Sequence, residues 1–294
     1  MTFNEGGSFE GGRVQSRRGG AAAVGGGGVG LLGIIGFLIY QFTGVDPTPI
    51  IDQAQQGGGT QQQQETSVGS CTAEQANTDR ACRLSATAQS LDAYWQAQLG
   101  TGGQEVPQPG VVEFEQSTQS GCGQASAATG PFYCPPDQTI YLDLGFYDVL
   151  ESQFGASDGP LAEMYVTAHE YGHHIQTITG VMDQADRSGS GSASDSVKVE
   201  LQADCYAGMW VGEAATTVDP DTGTTFLEPI TAEQLADALS AAEAVGDDRI
   251  QAASGGEVDP HTWTHGSSEQ RQEWFTVGYE QGSIEACDTF AGTF

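Results

Sequence analysis

The sequence predicts an α+β domain, mainly helical with a small sheet, that follows one N-terminal transmembrane helix. Three observations support this prediction: an uncharged apolar run near the N-terminus, long segments whose apolar residues recur at helical spacing, and short runs rich in β-branched and aromatic residues. The chain has 294 residues, which is enough for one membrane anchor and one sizeable domain with a buried core.

The apolar run covers residues 19–40 and contains no charged and no strongly polar side chain. As a helix it is long enough to cross a hydrocarbon core of about 30 Å. Basic residues precede it and acidic residues follow it: Arg13, Arg17 and Arg18 on one side, Asp46 and Asp52 on the other. Because cytoplasmic flanks carry the excess of Lys and Arg, we predict a single-pass membrane protein with a cytoplasmic N-terminus. A cleaved signal peptide is the alternative, but no A-x-A cleavage site follows the run.

These signals divide the chain into four predicted parts. They are a cytoplasmic tail at residues 1–18, a transmembrane helix at residues 19–43, a flexible linker at residues 44–70, and an extracytoplasmic domain at residues 71–294. The linker is predicted from its Pro, Gly and Gln content and from its few apolar side chains.

Periodicity predicts the elements of the extracytoplasmic domain. We expect helices at residues 71–99, 161–179, 197–209 and 231–245, a final helix capped by Ser268, strands at residues 111–114 and 139–144, and a loop at residues 122–136. Helices therefore outnumber strands, and the helix at residues 161–179 should lie near the second strand.

The six Cys residues predict disulfides, because disulfides persist outside the cytoplasm. No C-x-x-C occurs, which argues against a thiolate metal site. Loop length favours two short-range pairs and leaves one long-range pair: Cys71 with Cys82, Cys122 with Cys134, and Cys205 with Cys287.

The charge of the chain limits its partners. Lys and Arg number 9 against 39 Asp and Glu, which gives a formal net charge of −30. Such a chain repels polyanions, so nucleic acid is not expected as a partner. We interpret the acidity as a solvated surface, although a specific acidic docking site is the alternative.

An H-E-x-x-H sequence lies within the helix predicted at residues 161–179. On a helix, residues i and i+4 share a face, so His169 and His173 direct their imidazoles at one point. This arrangement predicts two ligands of a zinc ion, and Glu170 is placed to accept a proton from the attacking water. The alternative is an accidental match on an amphipathic helix.

A following helix carries Glu200 and Asp204 one turn apart on one face. A catalytic zinc takes three protein ligands, so Glu200 is predicted as the third ligand and Asp204 as the acceptor for the free N–H of a ligand imidazole. The alternative is an exposed acidic helix face. The small residues Ala203, Ala207 and Gly208 favour the first interpretation, because they let this helix approach another closely. Gly172 in the H-E-x-x-H helix likewise predicts a close neighbour.

His265 precedes the final helix in a loop, from which its side chain could reach a cleft. There it would stabilise the oxyanion of a tetrahedral intermediate. A structural or surface histidine is the alternative.

Four stretches together resemble a known family: "GPFYCPPDQTIYLDLGFYDVL", "AHEYGHHIQ", "VELQADCYAGMW" and "HGSSEQRQEWFTVGY". With the basic N-terminus and the apolar run, they are similar to the bacterial family described as putative neutral zinc metallopeptidases, over nearly the whole chain. The resemblance implies a zincin-like domain with Zn²⁺ held by His169, His173 and Glu200, and Glu170 as the catalytic base. The order of H-E-x-x-H before E-x-x-x-D is also similar to gluzincins such as thermolysin, whose spacing to the glutamate is shorter.

The sequence therefore predicts a membrane-anchored zinc metallopeptidase whose partner is a peptide or protein substrate. A zinc-binding but non-hydrolytic module of the cell envelope is the alternative, against which the presence of Glu170 argues. An intramembrane protease is not expected, because the H-E-x-x-H helix carries charged residues and lies far from the apolar run.

Overall fold

The fold is α+β in a computed structural model that describes residues 2–18, 64–126 and 129–291. The strands are β1 (Ser8–Phe9), β2 (Gln15–Arg18), β3 (Gln64–Ser67), β4 (Cys71–Thr72), β5 (Gly110–Phe114), β6 (Ser117–Ser120), β7 (Gly123–Ser126), β8 (Phe132–Cys134) and β9 (Thr139–Asp143). The helices are α1 (Ala73–Thr78), α2 (Arg80–Leu99), α3 (Phe146–Phe154), α4 (Pro160–Ile178), α5 (Val181–Gln184), α6 (Asp195–Glu213), α7 (Ala232–Ala244), α8 (Asp247–Ala253) and α9 (Ser268–Gln281), with a 3₁₀ helix at Pro260–Thr262.

Five strands form the main sheet in the order β3-β2-β5-β9-β8. The three central strands β2, β5 and β9 are parallel, and the strands at the two edges pair antiparallel to them. Side chains on both faces of β5 and β9 are buried, which explains their nearly continuous apolar sequence. The strands predicted at residues 111–114 and 139–144 are thus confirmed, with small differences at their ends.

Two sequence predictions about local structure were wrong in part. The region 122–136 is not only loop, because β7 pairs with β6 and β8 pairs with β9. The helix predicted at residues 71–99 is interrupted at Asp79, which ends α1 in an extended conformation and caps α2 by accepting from the backbone N–H of Cys82. The cap of the final helix is Ser267, one residue before the predicted Ser268.

The helices that carry the metal-binding motifs pack at backbone distance. A Cβ on Gly172 of α4 would lie 3.1 Å from the Cα of Ala203 on α6. A Cβ on Gly208 of α6 would overlap the carbonyl oxygen of Phe275 on α9. The close approaches expected at Gly172 and Gly208 are therefore both present, and they bring α4, α6 and α9 together.

The N-terminal segment, residues 2–18, is part of the same domain. Phe3 and Phe9 are 0% and 1% exposed, and strand β2 lies inside the main sheet between β3 and β5. Arg13 donates two hydrogen bonds to Asp92 of α2, at 2.6 and 2.9 Å. The boundaries predicted for a separate tail and for a linker that ends at residue 70 therefore differ from the fold, since β2 and β3 both belong to it.

The predicted transmembrane helix at residues 19–43 lies outside the described residues. Among the helices that the structure does describe, none has the length and apolar character needed to span a bilayer. Strand β2, which precedes residues 19–43 in the chain, pairs with β3 and β5, which follow them.

Three disulfides cross-link the described parts of the chain. They join Cys71 to Cys82, Cys122 to Cys134, and Cys205 to Cys287. These are the pairs that loop length favoured. The third disulfide ties the segment after α9 to α6, next to one of the predicted metal-site residues.

Candidate metal centre

Three potential metal ligands converge between α4 and α6. The Nε2 atom of His169 lies 3.2 Å from Oε2 of Glu200, and Nε2 of His173 lies 3.5 Å from Oε1 of the same carboxylate. One potential ligand atom from each residue lies within 4.8 Å of the others. Within residues 2–18, 64–126 and 129–291, this is the one group of three or more His, Cys, Asp or Glu side chains that could hold a metal ion.

His169 is oriented by a carboxylate from the facing helix. Its Nδ1 atom lies 2.7 Å from Oδ1 of Asp204, and Asp204 is 0% exposed. An ionised carboxylate only accepts hydrogen bonds, so Nδ1 of His169 carries a proton and Nε2 is the nitrogen through which this imidazole would bind a metal. Asp204 thus occupies the place predicted for it.

His173 is oriented by an amide from its own helix. Its Nδ1 atom lies 2.8 Å from Oε1 of Gln176, while the amide nitrogen of Gln176 donates to the backbone oxygen of Val199 and to Oε1 of Gln202 on α6. Because the NH₂ group is committed to α6, the amide oxygen faces His173 and fixes the proton on Nδ1. Both imidazoles therefore present Nε2 to the same point.

The electrostatic environment of this point favours a cation. Burial by itself lowers the pKa of His169, but the carboxylates of Asp204 and Glu200 raise it to about 10. Burial likewise raises the pKa of Glu200, yet the two imidazoles hold it well below its ordinary value. A site that favours positive charge in this way, with two nitrogen donors and one oxygen donor, fits the ligand set of Zn²⁺.

Glu170 follows His169 on α4 and is 7% exposed. Its position is about 100° around the helix axis from His169, beside rather than among the ligand atoms. Its carboxylate is not part of the group of potential metal ligands, and its role as the acceptor of a proton from water stays a prediction.

His265 is held near the site by a carboxylate that the sequence analysis did not identify. Its Nδ1 atom lies 3.2 Å from Oδ1 of Asp247, whose other oxygen accepts the backbone N–H of Thr264, His265 and Gly266. Burial by itself lowers the pKa of His265, but Asp247 and Glu200 raise it. Glu200 of the metal centre is thus among the groups that act on the pKa of His265, while the role of His265 at the transition state stays a prediction.

Three residues that position the site were missed from the sequence: Gln176, Asp247 and Arg271. Gln176 follows His173 by three residues, so helical spacing could have indicated it. Arg271 donates to Asp204 through two nitrogen atoms, and it is one of only nine basic residues in the chain. No local pattern indicates Asp247, because it begins α8 and meets His265 only through the fold.

Comparison with known proteins identifies the family of the chain. A family model with the description "Putative neutral zinc metallopeptidase" matches residues 4–290. An uncharacterized protein of Mycobacterium tuberculosis strain H37Rv is 49% identical over 220 residues, which cover 75% of this chain and 74% of that protein. The uncharacterized protein YpfJ of Escherichia coli K12 is 37% identical over 267 residues, which cover 89% of this chain and 86% of that protein. No solved structure matches the chain. By its match over nearly the whole length, the chain belongs to the family of putative neutral zinc metallopeptidases.

Proposed function

We propose that this protein is a zinc-dependent peptidase with a zincin-like catalytic domain. The observation that carries the proposal is the convergence of one atom each from His169, His173 and Glu200 within 4.8 Å. Two imidazoles and one carboxylate leave a fourth position of a tetrahedral zinc open, which distinguishes catalytic zinc sites from structural ones.

The residues of the chain have separate tasks in the proposed reaction. His169, His173 and Glu200 would hold Zn²⁺, which when bound supplies a Lewis acid that polarises the scissile carbonyl and acidifies the attacking water. Glu170 would accept the proton of that water and return it to the leaving amine.

His265 would stabilise the transition state by donating a hydrogen bond to the carbonyl oxygen as negative charge develops on it. The support for this role is its bond to Asp247, which fixes the orientation of the imidazole, and its influence on the pKa of Glu200. Asp247 would position His265 and raise the pKa of its imidazole.

The proposal is tested by incubating the purified full-length protein with a diverse peptide mixture and identifying products by mass spectrometry. We expect cleavage that a chelator abolishes and added zinc restores. Glu170→Gln should retain zinc, measured by elemental analysis, and lose cleavage, whereas His169→Ala should lose the metal. Equal cleavage by Glu170→Gln and the parent protein would contradict the mechanism.

A non-hydrolytic zinc-binding module of the cell envelope is the second candidate. The acidic chain supports it, because a charge of −30 could dock a cationic partner. The same experiment separates the two candidates, since such a module would bind zinc through His169, His173 and Glu200 without releasing any peptide product.

We also propose that residues 19–43 attach the protein to the cell membrane and that the domain lies outside the cytoplasm. The uncharged run supports the first part, and the three disulfides support the second. The side of the membrane on which residues 1–18 lie depends on whether β2 pairs with β3 in cells.

This pairing can be tested with cysteines at Gln15 and Ser67, which are exposed and directly opposite in the register of β2 and β3. Formation of a Gln15→Cys to Ser67→Cys cross-link in intact cells would place residues 1–18 on the same side as the domain. Absence of the cross-link, with Gln15→Cys labelled only after the membrane is permeabilised, would support the predicted cytoplasmic tail.

A further inference from the structure

Arg271 is the buried cation nearest to the metal centre. It lies in the first turn of α9 and is 3% exposed. Its Nε atom donates to Oδ2 of Asp204 at 2.8 Å, and its Nη2 atom donates to Oδ1 at 2.9 Å. Its remaining nitrogen, Nη1, donates to the backbone oxygen of Val245 at 3.2 Å. The guanidinium thus forms a bidentate pair with the carboxylate, a two-point hydrogen-bond geometry that lysine cannot reproduce.

The carboxylate to which Arg271 donates is also the one that orients His169. Oδ1 of Asp204 accepts from Nδ1 of His169 at 2.7 Å and from the hydroxyl of Tyr165 at 2.5 Å. Nη2 of Arg271 lies 3.3 Å from Nδ1 of His169, but both atoms are donors, so this approach reflects their common acceptor. A small rotation of the carboxylate would therefore move the imidazole as well.

The position of Arg271 is fixed by the packing of α9 on α6. A Cβ on Gly278 would overlap the carbonyl oxygen of Cys205, and one on Gly208 would overlap that of Phe275. The disulfide from Cys205 to Cys287 ties the chain after α9 to the same helix. Because α9 is packed closely against α6, the backbone of Arg271 has little freedom to move relative to Asp204.

We propose that Arg271 is a positioning residue for the zinc site, which acts by holding the Asp204 carboxylate in the orientation that aims Nε2 of His169 at the metal. The inference rests on the proposed zinc site. Helix α9 contributes no metal ligand, but through Arg271 it would help to set the affinity for the metal. An ionised carboxylate at 0% exposure also needs a partner charge, and Arg271 supplies it through direct contact.

The alternative is that Arg271 only joins two helices. The protein contains a matched pair for comparison, because Arg83 of α2 donates to Glu163 of α4 in a similarly buried setting. Arg83 is 8% exposed and Glu163 is 6% exposed. Their ion pair joins helices without contacting His169, His173 or Glu200 through any hydrogen bond of the described residues.

The test measures the zinc dissociation constant of purified full-length variants by competition with a chromogenic chelator. Arg271→Met should weaken zinc binding by about 10- to 100-fold, the range for residues that orient metal ligands. Arg271→Lys, which keeps the charge but loses the two-point grip, should show a smaller loss. Arg83→Met should lower the midpoint of thermal unfolding and leave the zinc dissociation constant within about twofold of the parent value. The absorption spectrum of the cobalt-substituted protein should change with Arg271→Met and not with Arg83→Met.

Action through Asp204 is tested by combining substitutions. In an Asp204→Asn background, Arg271→Met should cause little further loss of zinc affinity, because the carboxylate it holds is already gone. Parental zinc affinity and an unchanged cobalt spectrum in Arg271→Met would overturn the inference while leaving the proposed function intact. If Arg271→Met does not fold, the same two outcomes are read from Arg271→Lys. Failure of the parent protein to bind zinc would instead overturn the proposed function, and the inference with it.

Discussion

The metal centre and the N-terminal segment are both buried in one domain, but different interactions hold them. The metal centre consists of polar side chains whose orientation is set by hydrogen bonds among α4, α6 and α9. The N-terminal segment is held by apolar burial of Phe3, Phe9 and Val14 and by strand pairing on both sides of β2. An isosteric substitution at Glu170 in the first region should therefore change chemistry at nearly constant stability, and truncation of a buried ring in the second should change stability at constant chemistry.

The largest effect is expected at Glu170. Glu170→Gln should lower kcat/KM by about 10²- to 10⁴-fold, because the amide cannot take a proton from the attacking water. Zinc content and the midpoint of thermal unfolding should stay at parental values. Glu273→Gln makes the same chemical change on the exposed face of α9 and is the matched control, for which parental activity is expected. A large loss of stability in Glu170→Gln would break the proposed separation of the two regions.

The reverse pattern is expected at Phe9. Its ring is 1% exposed and packs on Phe3 with ring centroids 5.2 Å apart. Phe9→Ala should lower the free energy of unfolding by about 3–5 kcal/mol, measured by urea denaturation. The folded fraction should keep the parental zinc affinity. Phe290→Ala, at a residue 37% exposed, should cost much less. Loss of zinc affinity in folded Phe9→Ala would show that the N-terminal segment also shapes the metal centre.

A smaller effect on activity is expected at Asp247. Because this carboxylate raises the pKa of His265, it keeps the imidazole protonated to higher pH. Asp247→Asn should lower that pKa, move the alkaline limb of the kcat/KM profile to lower pH, and reduce kcat/KM about tenfold near neutrality. Asp183→Asn, on an exposed residue, should leave the profile unchanged. An unchanged alkaline limb in Asp247→Asn would argue against His265 as the transition-state donor.

The smallest effect is expected at Tyr171, which connects the two regions. Its hydroxyl donates to Oδ1 of Asp92 at 3.0 Å, and Arg13 donates to both oxygens of the same carboxylate. Tyr171→Phe should lower the free energy of unfolding by about 1 kcal/mol without changing zinc affinity. Combined with Arg13→Gln, its effect should be non-additive, because both residues act on Asp92. Strict additivity in a double-mutant cycle would contradict this connection.

The parts that could be predicted from sequence are those in which one helix or one loop decides the outcome. Helical spacing alone brings His169 and His173 to one face, and a carboxylate pair one turn apart on α6 faces them. Short loops likewise indicated two of the disulfide pairs.

The remaining parts depend on contacts between distant segments. Arg271 reaches Asp204 only because glycines let α9 lie against α6, and Asp247 reaches His265 only through the loop before α9. Strand β2 has a polar sequence, Gln15–Arg18, so its apolar content does not indicate a strand inside a sheet. Its place there is set by pairing with β3 on one side and β5 on the other. The basic residues Arg13, Arg17 and Arg18 that suggested a membrane flank therefore serve, in the fold, as partners of carboxylates.

The central position of β2 has a consequence for the timing of events during synthesis. β2 leaves the ribosome before the apolar run and α2, and its partner β5 follows only after both have been made. Pairing between segments so far apart is slow compared with helix formation. Helix α2 can therefore form before β2 is paired on both sides, and the main sheet is completed only after that helix.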